Sequence, residues 1–361
     1  MAVDGCGKRR ARASSSAMIR RPKLLSQTPI TVTSAAVLAP AAPVPSWLRR
    51  AVPDAQSLAG KDLEDMALAA GAAIGTLDAL VRRQERWAGA WRQRLALAAA
   101  AVTAKRAGRT EDEAALRDAV LLTRSGDFLS VGPAGLLLLA WRRLATRPTE
   151  DLLTGKNLAA VLEEFGHAPD DEAAGDLAGE LRRLSAGGMV EMLTGAFIVA
   201  DRYGFGRAVG AWLADALVAQ RLGWAHAVPL LGAEPAWGAS AARRGRPATG
   251  VAAPGVESES DRAKTLLAAQ ARTALRAIDL FTDLERRAQK LLAVAPKLRA
   301  KGAELVVENL LSDDALVASR GDRHKKTGMS DRGLRRLFDR LVDLGAVREL
   351  SGRATFRIYG L

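Results

Sequence analysis

The thirty-two residues from Ser330 to Leu361 are compatible with very few folds. Leu334, Leu337, Phe338, Leu341, Val342 and Leu344 recur at the three- and four-residue steps of a helix, so at 100° per residue they gather on one side. Arg332, Arg335, Arg336 and Arg340 fall on the other side. Ser330 is placed to cap the first turn, where its hydroxyl can accept an amide hydrogen that has no intrahelical partner. Gly345 ends the helix, and Val347 to Leu350 predicts a short strand. Ser351-Gly352 predicts a turn, after which Phe356 and Ile358 alternate with Thr355, Arg357 and Tyr359 on a return strand. Upstream, helices are predicted near Leu298 to Leu311 and Asp313 to Ala318, followed by the basic stretch Arg320, Arg323, His324, Lys325 and Lys326. Short helix, capped arginine helix, glycine and basic hairpin, in that order, predict a winged helix-turn-helix over residues 296–361.

Such a helix buries one face on its neighbours and can lay the other in a DNA major groove, about 12 Å wide. Arginine there bridges guanine edges or grips phosphate as a fixed fork. The expected contacts to duplex DNA are Arg332, Arg335, Arg336 and Arg340 in the groove, with Lys325, Lys326, Arg353 and Arg357 on phosphates. The alternative use of the same module is protein contact or dimerisation.

Composition constrains the rest. Apolar residues are 48% of the chain but aromatic ones only 4%, so the core must be built from Ala, Leu and Val. Ala and Leu favour helix, whereas strands draw on β-branched and aromatic residues. Lys and Arg outnumber Asp and Glu by 53 to 40, a net +13 that points to an anionic partner. A basic tail alone would explain part of that excess. Cys6 stands alone and His167, His226 and His324 lie far apart, so no internal disulfide, metal centre or cofactor is expected. The longest apolar runs, Leu95 to Ala104 and Gly135 to Trp141, fall well short of the roughly twenty residues of a membrane helix. A cytoplasmic protein is expected.

The expected architecture is mainly α: a helical bundle body with a C-terminal winged helix-turn-helix. Residues 1–56 read as a disordered basic Pro/Ala/Ser-rich tail. Arg20-Arg21 ahead of Ala35 to Ala42 has the outline of a twin-arginine export signal, but Pro29, Thr31, Thr33, Ser34 and Pro40 interrupt its apolar stretch. Translation from Met18 instead of Met1 would remove Lys8, Arg9, Arg10 and Arg12 from the charge balance. The body covers 57–231. Its first helix begins at Leu63, with Met66, Ala70, Ala73, Ile74, Leu77, Leu80 and Val81 at three- and four-residue steps. A second runs from Trp87 to Ala107 with Trp91, Leu95 and Val102 inward and Arg92, Arg94, Lys105 and Arg106 outward. Thr110 and Glu113 have capping-box spacing for a third, and Pro133 starts a fourth that Pro148 ends. Further helices are predicted at 150–165, 171–185 and 207–222. Residues 232–260 read as a Gly/Pro-rich loop or linker, and a long helix from Asp261 to Val294 completes the body.

Three stretches carry a family resemblance: Trp87 to Leu97, Ala295 to Gly302, and Leu334 to Leu361. Through them the chain, from about residue 45 onward, resembles an uncharacterised alphaproteobacterial family, domain of unknown function 1403, to which no activity is attached. A looser resemblance rests on Gly204-Phe-Gly-Arg207 leading into Ala208 to Arg221, and on the hairpin Leu350-Ser-Gly-Arg353. This arrangement is similar to the second half of Fic-type AMP-transferases, some of which carry a C-terminal winged helix. The resemblance implies an anion loop at Gly204, Gly206 and Arg207, where glycines let backbone amides reach phosphate at a helix N-terminus. Val199, Tyr203 and Phe205 stand where that family has its histidine base, its acid and its asparagine. Losing the base alone costs roughly 10²–10⁴ in rate, so the resemblance implies an inactive derivative used for protein interaction. A nucleotidyl transferase with a rearranged site is the remaining enzymatic reading.

Other chemistry finds little support. G-x-S-x-G, a Walker lysine and H-E-x-x-H are all missing. Glu111 to Glu113, Glu163-Glu164 and Asp170 to Glu172 lie at predicted helix ends, where carboxylates are ordinary. Trp87, Trp91, Trp141, Trp212 and Trp224 read as core. Arg82, Arg83, Arg86, Arg142 and Arg143 read as solvated helix faces.

Overall fold

Because the core is drawn from Ala and Leu, the backbones approach closely and the chain folds as helices packed on helices. The computed structural model describes residues 44–54, 57–123, 129–235, 258–318, 328–353 and 355–361. The body begins with α1 (Ser46–Ala51), α2 (Leu63–Val81), α3 (Ala88–Arg106), α4 (Glu113–Leu121) and α5 (Gly132–Thr146). It continues with α6 (Thr149–Leu152), α7 (Gly155–Glu164), α8 (Asp171–Leu184), α9 (Met189–Arg202) and α10 (Gly206–Leu222), and closes with α11 (Glu259–Val294). Helix α2 lies along α11, α3 along α5, and α9 along α10. Fully buried alanines such as Ala73, Ala96, Ala100, Ala214 and Ala268 line these crossings.

Three indoles fill the space that alanine leaves. Trp91, Trp141 and Trp212 are fully buried, and a buried indole N–H is costly unless it finds an acceptor. Each does: Trp91 donates to the Ala277 carbonyl (2.9 Å), Trp141 to the Thr103 hydroxyl (3.0 Å) and Trp212 to the Ala140 carbonyl (2.9 Å). These bonds tie α3 to α11, α5 to α3, and α10 to α5. Helix starts follow local chemistry. Asp170 accepts from the Ala173 amide at 2.9 Å, and Ser258 accepts from the Asp261 amide at 3.0 Å. At α4 the cap is Asp112, which accepts from the Ala115 amide at 2.8 Å, and not the expected Thr110. The spacing predicts no helix between 185 and 207, yet α9 occupies most of that span. It is buried on nearly every side, so it shows no one-sided stripe to read.

The C-terminal elements are α12 (Ala303–Ser312), β1 (Leu316–Val317), α13 (Asp331–Asp343), β2 (Arg348–Glu349) and β3 (Ile358–Gly360). The strands form an antiparallel sheet in the order β1-β3-β2, with Leu316 opposite Tyr359 and Arg348 opposite Gly360. The helix predicted at Asp313 to Ala318 is therefore replaced by strand β1. Pairing with β3 fixes it as strand, and just before it the Asp314 carboxylate is drawn into the body. There it accepts from Arg117 Nε at 2.7 Å and from Arg94 Nε, with Arg142 Nη2 3.9 Å away.

Several other expectations change for related reasons. Tyr359, expected outward, is buried, because β3 is the central strand and Phe338 stacks on the Tyr359 ring at 4.5 Å. Phe356, expected inward, is 60% exposed at a backbone φ of +53°. Burial along α13 stops at Leu341, which leaves Val342 and Leu344 more than a third exposed. Arg92, Arg94 and Arg142, expected in solvent, turn inward, and Arg83 is held between Glu85 (2.7 Å) and Glu285 (2.8 Å).

Candidate nucleic-acid interface and anion cavity

Helix α13 forms as the spacing predicts. The Ser330 hydroxyl accepts from the Gly333 amide at 3.2 Å, while Leu334, Leu337, Phe338 and Leu341 are buried. Arg332, Arg335, Arg336 and Arg340 are exposed, and among the described residues none of their side chains has an ion pair or hydrogen bond. The helix dipole adds positive potential at the same end. Asp331 opens the helix, and Asp339 and Asp343 share the outer face further along, so the cationic surface is centred on Arg332, Arg335 and Arg336.

The hairpin residues are placed differently. Arg353 pairs with Asp118 of α4, which turns it toward the body. Arg357 is exposed, 3.8 Å from Glu349 and 3.9 Å from Asp339. Lys325 and Lys326 lie outside the described residues, as do residues 1–43 of the expected tail and 236–257 of the expected linker.

The second candidate, Gly204 to Arg207, makes the tight turn between α9 and α10. Gly204 and Gly206 adopt φ of +72° and +73°, a region that side chains with a Cβ avoid. The amides of Gly204 and Phe205 point back to the carbonyls of Asp201 (3.0 Å) and Ala200 (2.8 Å), closing α9. They are therefore committed within the turn. Arg207 instead lines a cavity of about 570 Å³ together with Arg106, His167, Phe165 and Phe205. The His167 and Phe205 rings meet edge to face at 4.9 Å. Arg106 donates to the Glu234 carbonyl at 3.1 Å. Burial and then the neighbouring Arg207 hold the Arg106 guanidinium below its ordinary value, against the opposing pull of Glu234. Val199 is buried in α9.

Residues 106, 167 and 207 come from three separate parts of the chain, so no local spacing could have announced this grouping. Only Arg207 was marked by its neighbours in sequence. The same holds for Asp314, which nothing distinguishes from Asp313 until the body's arginines surround it.

The elements described define a mainly helical protein whose C-terminal three-stranded module presents an arginine helix. The chain belongs to the family described as protein of unknown function DUF1403, whose family model matches residues 34–361. No curated protein and no solved structure matches it. Among the described residues, no helix is long and apolar enough to cross a membrane.

Proposed function

We propose that the segment from α12 to β3 is a winged helix that binds duplex DNA, and that the protein is a cytoplasmic regulator of transcription. One observation carries the reading: Arg332, Arg335 and Arg336 stand exposed and unpaired among the described residues on the first turns of a capped helix. Elsewhere many arginines are engaged by carboxylates, including Arg83, Arg94, Arg117, Arg143 and Arg272. The order helix, strand, helix, strand, strand, with β3 between β1 and β2, supports the same reading. Arg340 extends the row, and Arg357 stands at the edge of the hairpin.

The test is a fluorescence-anisotropy titration of the full chain on duplex DNA at several salt concentrations. Replacing Arg332, Arg335 and Arg336 by alanine should weaken binding. Each arginine that neutralises one phosphate contributes about 0.9 to the log–log salt slope, so the triple variant should have a slope flatter by up to about 2.7. An unchanged slope and affinity would remove α13 from the interface.

A second reading is favoured by Val342, Leu344 and Phe356, exposed apolar side chains in the same C-terminal elements. They suit protein contact, either self-association or a Fic-like interaction module. Loss of a partner or of the dimer in Val342→Asp and Phe356→Asp variants, with DNA affinity absent from the parent, would select it.

A further inference from the structure

A second cavity, of about 540 Å³, opens where the α2–α3 turn, the end of α10 and the end of α12 converge on α3. Its lining is rich in charge, and most of that charge is already matched. Arg82 pairs with Asp78 (2.8 Å), Glu85 with Arg83 (2.7 Å) and Arg86 with Glu308. Asp313, also on the lining, has no cationic partner among the described residues and accepts only from the neutral Gln93 Nε2, at 2.8 Å. Among the arginines of the lining, Arg92 is the exception. Its Nε donates to the Ala145 carbonyl at 2.9 Å, and no other described residue bonds or pairs with it. That carbonyl lies at the C-terminal end of α5 and supplies only the partial negative charge of a helix terminus.

A guanidinium taken out of water without a counter-charge is unfavourable, and its neighbourhood registers this. Burial pushes Arg92 down to about 10, with no carboxylate opposing the shift. His226, on the same lining, is pushed down by burial and then by the charge of Arg92. The bond from Nε leaves the two terminal amino groups of this cavity-lining arginine without a described partner. Together they match a pair of oxygens on one anionic group. The volume lies in the range of small-molecule sites and exceeds what a simple ion needs.

We propose that this cavity binds a small organic oxyanion, a metabolite whose carboxylate or phosphate is clasped by Arg92 beside His226. The site is separate from α13 and does not depend on the reading of that helix. Ser312 and Asp313 line it, so the ligand would sit against the segment that joins α12 to β1.

Calorimetric and thermal-shift titration of the full chain tests this, using succinate and glycerol phosphate as probes. Inorganic phosphate, succinamide and glycerol are the controls. Saturable binding of succinate or of glycerol phosphate, with the neutral controls inert, is the expected result, and the two arms tell a carboxylate from a phosphate ligand. Arg92→Lys keeps the charge but loses the planar fork, and should weaken binding at least about tenfold. Ala225→Glu, at an exposed position on the lining, places a competing carboxylate in the cavity while leaving Arg92 intact, and should abolish binding. No saturable binding of either organic anion at millimolar concentration would overturn the proposal. So would binding that both variants leave unchanged.

Discussion

Replacing Asp314 by alanine removes the counter-charge of three arginines at once. The carboxylate is buried, 2.7 Å from Arg117 Nε, in contact with Arg94 Nε and 3.9 Å from Arg142. Breaking a buried ion pair by deleting one partner costs about 3–5 kcal/mol, because the remaining charge stays desolvated. Unfolding entropy is about 2.1 cal/mol/K per residue, or about 0.6 kcal/mol/K for the roughly 280 described residues. The expected fall in Tm at pH 7 is therefore about 5–8 °C, read by calorimetry. Its pH dependence has a definite sign. Burial alone would push the Asp314 carboxyl up, but Arg94 and Arg117, with Arg142 further off, hold it below the ordinary range. A depressed folded value adds stability above the unfolded value of about 3.9, and that stability is lost as pH falls through the folded value. The deficit of the variant should accordingly shrink below about pH 4. A Tm change under about 1 °C at pH 7 would refute the claim that this carboxylate holds β1 to the body.

Three further outcomes follow from the same geometry. Burial, partly offset by the amides of Leu230, Leu231 and Gly232, pushes the Asp215 carboxyl up to about 8. An acid raised this way loses stability as pH climbs from about 4 to 8, because the unfolded chain ionises first; Asp215→Asn should flatten that decline in urea titrations across the range. Gly232→Ala would drive a methyl group into the buried Trp141 ring, costing about 1–3 kcal/mol in chemical denaturation. Gln84 holds φ +48° in an exposed turn, so Gln84→Gly should raise stability by up to about 1–2 kcal/mol, measured by the denaturation midpoint.

Periodicity works where an element has one wet face. Helices α2 and α13 each bury one stripe, and their extents follow from residue spacing to within a few residues. It fails where burial surrounds the element, as in α9, and where pairing overrides local preference. Leu316 and Val317 are strand because β3 lies beside them, and Tyr359 is core because β3 has neighbours on both sides. Arginine in the body escapes periodicity for a related reason. Its long stem lets the guanidinium reach a buried carboxylate from a position that looks outward, as Arg94 does.

What the amino-acid order determined alone is the mainly helical class, the alanine and tryptophan core, the capped arginine helix and the turn at Gly204–Gly206. Each rests on contacts within a few residues, or on the partition of side chains between water and core. Tertiary structure decided which charges meet. The enclosure of Asp314, the pairing of Arg353 with Asp118, and the isolation of Arg92 in its cavity all join residues far apart in the chain. Electrostatic energy depends on distance and burial in space, and neither is written in sequence spacing.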